Sequence, residues 1–332
     1  MQQPHKVEPS PDAAFARRLF GTDEPDVDLG TAYESVVARA RPNRPRWRSG
    51  AAGLAVAAAF AAALLLTPLG GYAMQLLTIF EPKEFVPIAI SSKDAAAMRR
   101  MPSLASFGTV TSSANRSLRG VASLAAARTT AGFAPRQAGN ARSLPPGPVT
   151  YFVLPPGTVA FTFSAAKARA YEHRFHRHLP PMPPGLDGTT IRMSLGAGIV
   201  SAYGPLAKNL KKVRRAELVD GVAIVQTRAP QITSSGASIA TLENYLLSMP
   251  DVPADVAAQL RAIADPSDAM PIPFRIDKTS ATTVAVDGTH GLAIGDQTGL
   301  GSGILWQKGG MVYAIGGSLT ASDALALANA LR

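Results

Sequence analysis

The segment "YEHRFHRHLPP" gathers Glu172, His173, His176 and His178 within seven residues. On a helix His173 and His176 share a face, and two or three imidazoles bind zinc or copper. Arg174 and Arg177 stand between them and repel a dication, and no carboxylate orienter is evident. The spacing therefore suits an exposed basic helix end better than a metal site. A second cluster, "KNLKKVRR", holds Lys208, Lys211, Lys212, Arg214 and Arg215. It can meet anionic lipid or polymer, or remain a solvated charge run. It lacks the interleaved aromatics of a single-strand nucleic-acid platform. The glycine-rich "GDQTGLGSG" lacks the Gly-Lys-Ser/Thr ending of a phosphate loop and is followed by strand rather than helix. Ser302 is not flanked as a nucleophile elbow. With no cysteine in the chain, a thiol nucleophile, a thiolate zinc site, an iron–sulfur cluster and a disulfide scaffold are excluded. No catalytic set and no cofactor motif stands out, so the expectation is a protein without enzyme activity.

The elements around these residues read as an α+β domain over 149–332. "VTYFVLPPGTVAFTF" suggests two strands around a Pro155-Pro156-Gly157 turn, followed by a helix over 165–176. Strands are expected near Thr190 and Ile199, and Asp220-Gly221 in "AELVDGVAIVQTRAP" suggests a type I′ hairpin. Helices are expected over 242–247 and 254–264, then strands over 282–286, 304–308 and 311–316, with Gly309-Gly310 as the last hairpin turn. Asp187-Gly188 and Asp287-Gly288 are turn signals. Thr320 and Asp323 have capping-box spacing for a final helix. The expected architecture is an antiparallel sheet with a few covering helices.

Upstream, no charged residue occurs from Ser49 to Phe80, and 51–66 is apolar on every helical face. Taken as 49–72, this run reaches the roughly 20 residues that cross a bilayer core. A buried alanine-rich core helix and a cleaved signal peptide are the competing readings, but the latter would have an n-region nearly as long as the whole preceding segment. Arg39, Arg41, Arg44, Arg46 and Arg48 precede the run, whereas Lys83 and Lys93 follow it among Glu81, Glu84 and Asp94. The positive-inside rule then places 1–48 in the cytoplasm and the remainder outside the cell membrane.

The tail 1–48 offers two short amphipathic faces, Phe15, Leu19 and Phe20 on one and Tyr33 and Val37 on the other, as contacts for a cytoplasmic partner. Residues 81–111 read as a membrane-proximal α/β piece, with a strand over 85–90 and a helix capped by Ser92. The stretch 112–148 has no acidic residue and reads as a flexible basic linker or loop. The net charge of +10 and pI near 10.1 suit an anionic surface. Outward topology argues against direct contact with nucleic acid.

This layout resembles bacterial single-pass membrane anti-sigma-factor-like proteins. The likeness is carried by "VDGTHGLAIGDQTGLGSGILWQKGGMVYAIGGSLTASDALALANALR", with Trp306 and Tyr313 on a strand pair before a short helix, and by "LPPMPPGLDGTTIRMSLGAGIVSAYG". It resembles the end of an extracytoplasmic domain of unknown function in such regulators. The resemblance implies signal transduction across the bacterial envelope, with a sigma factor as cytoplasmic partner and the outer domain sensing or binding a ligand. The zinc-binding His/Cys helix of many such proteins is missing, since the tail has only His5 and no cysteine. The alternative expectation is an envelope module that carries lipid or cell-wall polymer, with an inert tail.

Overall fold

A computed structural model describes residues 84–113, 117–139, 141–206, 221–263, 269–299 and 301–332. The tail with Phe15, Leu19, Phe20, Tyr33 and Val37, the apolar run 49–72, and the cluster Lys208, Lys211, Lys212, Arg214 and Arg215 all lie outside the described residues. No helix among the described residues is long and apolar enough to cross a membrane.

The fold is α+β, with fourteen strands and six α-helices among the described residues. Four chain passes form its centre. They are β2 (Gly108–Ser112) with β3 (Arg119–Val121), β4 (Thr150–Leu154) with β5 (Gly157–Phe163), β6 (Thr190–Leu195) with β7 (Gly198–Tyr203), and β8 (Val222–Arg228) with β9 (Gln231–Ser235). Each pass begins in one antiparallel sheet and ends in another. The smaller sheet has the order β2-β5-β6-β9. The larger adds a meander of β11 (Thr279–Val286), β12 (Thr289–Asp296), β13 (Ser302–Lys308) and β14 (Met311–Gly317), in the order β11-β12-β13-β14-β8-β7-β4-β3.

Pairing shows that the two sheets are halves of one bent sheet. Leu154 faces Gly198 before the bend, and Gly157 faces Leu195 after it. Gly198 likewise faces Thr227, and Ser194 faces Gln231. Neither pair of passes slips register at the bend, so each face of the sheet continues through it. Only the outermost pass slips, with one extra residue between Ser112 and Arg119 relative to its neighbour. Pro155, Pro156 and Pro230 at the bend have no N–H for the ladder, which lets the strands turn there. Gly196 lets two strands come close, because a Cβ there would stand 2.6 Å from Cβ of Arg228.

Pro155-Pro156-Gly157 is therefore a bend and not a hairpin, since β4 and β5 pair with different strands. The first strand of the hairpin expected at Asp220-Gly221 lies outside the described residues. The strand after it, β8, pairs with β7 on one side and with β14 on the other. The turns at Asp287-Gly288 and Gly309-Gly310 form as expected. All four residues have positive φ, as a type I′ hairpin requires.

One face of the bent sheet carries the helices. Over the large half lie α2 (Leu124–Ala131) and α6 (Ala321–Ala330), which pack on Val153 and Ile199 and on Ile304, Trp306 and Ile315. Over the small half lie α3 (Ala165–Phe175) and α4 (Ile239–Leu247), with Phe161, Phe163, Ile191 and Ile232 beneath them. The opposite face of the large half is covered by a parallel pair, β1 (Glu84–Ile90) and β10 (Ala269–Arg275), through Phe85, Met270 and Ile272. This pair departs from an otherwise antiparallel pattern. Its far end joins α1 (Ser92–Met98) and α5 (Ala254–Arg261) in a separate apolar cluster. Ser91, not Ser92, caps α1, in a capping box with Asp94.

Residues 84–111 are thus strands and a helix of the same fold as 149–332. The stretch read as a flexible linker supplies β3, α2 and a strap over the sheet. Ala127 of α2 is fully buried, and Gln137 exchanges two backbone hydrogen bonds with Arg332. Small alanine side chains allow this close approach, and composition alone does not distinguish it from looseness.

Candidate functional site

The basic segment singled out in the sequence forms the end of α3. Ser164 caps the helix by accepting from the Lys167 N–H, and the carboxylate of Asp187 accepts from the Ala165 N–H at 2.7 Å. Tyr171 and Phe175 are four residues apart, so they share a helix face, and their ring centroids lie 4.8 Å apart. Phe107 continues this aromatic row, 5.0 Å from Tyr171. The helix stops at His176, whose φ of 50° is left-handed, and the Arg177 N–H donates to the Glu172 carbonyl.

That reversal sends Arg177 toward Asp251, in the loop between α4 and α5. The Arg177 guanidinium lies 2.8 Å from Oδ1 of Asp251, and the Tyr171 hydroxyl donates to Oδ2 at 3.3 Å. Burial, and then the neighbouring Asp251 charge, raise the Tyr171 pKa, so its hydroxyl stays a donor at neutral pH. Arg100, Pro102 and Ser106, which follow α1, complete a cleft of about 430 Å³ with Tyr171, Phe175, Arg177 and Asp251. Phe175 is 51% exposed at the cleft, and the Arg174 guanidinium lies 5.3 Å from its ring centre.

The histidines do not converge. His173, His176 and His178 are all exposed, and Nδ1 of His178 stands 4.0 Å from Glu172. Among the described residues no group of three or more histidine, aspartate or glutamate side chains is placed to hold a metal ion. Of the residues interleaved with these histidines, Phe175 and Arg177 line the cleft, and Arg174 lies over the Phe175 ring. Phe175, Tyr171, Arg100 and Asp251 are not among the site residues that the sequence alone suggests. A phenylalanine within a run of arginine and histidine was a usable signal, whereas Arg100 and Asp251 reach the site only through tertiary packing.

A second charged cluster fastens the strap. Asp287 accepts from the Arg136 guanidinium and lies 3.0 Å from Nζ of Lys308. Arg136 also covers the ring of Tyr313, which stacks on Trp306 with centroids 5.1 Å apart. Burial opposes the charge on Asp287, but bonds from Arg136 and Lys308 prevail and hold its pKa below the usual carboxylate range. Gln226 both accepts from the Arg136 N–H and donates to its carbonyl. With its charges paired to one another, this cluster is a structural fastening, and the α3 cleft is the binding candidate. Comparison with protein-family models, curated proteins and solved structures finds no match.

Proposed function

We propose that this chain is a single-pass bacterial cell-membrane protein of regulatory, anti-sigma-factor-like type, with its N-terminal tail in the cytoplasm and its α+β domain outside. The observation that carries the reading is the uncharged stretch from Ser49 to Phe80, preceded by five arginines between residues 39 and 48. The outer domain acts by binding rather than catalysis, through the α3 cleft. The tail engages a sigma factor through Phe15, Leu19, Phe20, Tyr33 and Val37, as the resemblance implies.

The test is a photoreactive residue in place of Phe15 or Phe20, with adducts formed in cells and identified by mass spectrometry. A sigma factor among the adducts is the expected result. An anchored protein with an empty tail would overturn the regulatory role. The second reading, an envelope module for lipid or cell-wall polymer, draws on the half-exposed Phe175 beside cationic side chains. Lipid or glycan copurifying with the full chain, together with an empty tail, is the result that selects it.

A further inference from the structure

We infer that the end of α3 is a docking surface for an anionic lipid bilayer, which seats the outer domain on the membrane that anchors it. This rests on the anchored reading above. Phe175 is one of two large apolar side chains exposed among the described residues. It is held there by the left-handed end of α3 and backed by the Tyr171 ring. An aromatic ring so placed partitions into the interfacial zone of a bilayer.

The charges around it have the matching sign. Arg174 lies over the ring, while Arg100 and Arg177 line the adjoining cleft. The acidic groups nearby are Asp251 and Glu172. Asp251 is engaged by Arg177 and Tyr171, and Glu172 accepts from the Leu179 N–H. Arg100 therefore faces the cleft as a cation whose donors suit a lipid phosphate. With Arg177 paired to Asp251, Arg100 and Arg174 beside an exposed ring are the arrangement that anionic headgroups attract.

The tether permits this contact. Eleven residues separate Tyr72 from Glu84, where β1 begins, and they span at most about 40 Å when extended. Confinement at that distance raises the local lipid concentration that the Phe175 ring, Arg100 and Arg174 meet, so weak individual contacts suffice to hold the domain down.

Because the chain has no cysteine, a single introduced thiol reports one place. The experiment uses the full-length protein with His178→Cys carrying bimane, in nanodiscs of brominated phosphatidylglycerol or brominated phosphatidylcholine. The expected result is bromine quenching in phosphatidylglycerol that disappears in phosphatidylcholine and at high salt. Arg100→Glu or Phe175→Ser should weaken docking by at least about five-fold, with unchanged thermal melts. A Ser322→Cys label should stay unquenched, because the start of α6 lies at the opposite end of the long passes. Equal, unquenched labels at both positions in a chain that copurifies with its disc would overturn the docking surface. A chain that fails to copurify would overturn the anchor instead. Brominated phosphatidylglycerol vesicles added to that soluble chain then decide docking by the same quenching difference.

Discussion

The four long passes cross two halves of one sheet, and the halves differ in what covers them. In the large half β7 is buried at all six positions and β8 at six of seven, because helices press on one face and the β1–β10 pair on the other. Past the bend the same chain alternates. Ile191 and Ile232 turn toward α3 and α4, while Arg192, Ser194, Gln231 and Thr233 face solvent. A strand covered on both faces reads as a continuous apolar run, and one covered on a single face reads as alternation. Here one pass carries both patterns, and the switch falls at the bend. The large half is packed on both faces, and the binding candidate belongs to the half with a free face.

Removal of Trp306 gives the sharpest test of that difference. It is fully buried in the large half, so Trp306→Ala should cost about 4 kcal/mol in urea unfolding. A loss below about 1 kcal/mol would break the distinction between the halves.

Next comes Asp287, which fastens the strap to the same half. Its pKa is lowered in the fold, so its contribution is present above the ordinary carboxylate pKa and lost as pH falls through the lower folded value. Asp287→Asn should cost about 2 kcal/mol at pH 7. The two proteins should converge in acid, as thermal melts across pH would record.

Glu243 reverses the sign in the helical cover of the small half. Burial raises its pKa to about 7, so its stabilising share is complete below the ordinary glutamate pKa and lost as pH rises through 7. Glu243→Gln should match the natural protein near pH 4 and exceed it by up to about 3 kcal/mol at pH 8. Equal melting temperatures at pH 8 would remove this contrast. The smallest effect is expected on the free face, where Thr233→Val should change stability by no more than about 0.5 kcal/mol.

Much of this was legible before any coordinates. The strands near Ile199, Ile304 and Met311 follow from β-branched runs, and the capping residue Thr320 and the turns at Asp287-Gly288 and Gly309-Gly310 are local signals. What escaped depends on distant partners. β10 hides behind Pro271 and Pro273, tolerated because alternate residues of a parallel strand bond to opposite sides and β1 occupies only one. β12 hides in a glycine-rich stretch where Gly291 allows tight packing, a Cβ there standing 2.6 Å from Val286. Of the site, the exposed aromatic among basic residues was visible in the α3 segment. The chemistry at Asp251 was not, since that loop meets Arg177 only when the fold closes.

The parallel pairing of β1 with β10 also bears on how the protein is made. The side chains of Phe85, Ile88 and Ile90 are buried in the finished protein, but their partner strand lies about 180 residues further along the chain. At the roughly 5–20 residues per second of synthesis, β1 waits on the order of ten to forty seconds for it. During that interval an apolar strand beside the proposed membrane anchor has no partner, so nascent chains need shielding by a chaperone or by the membrane itself.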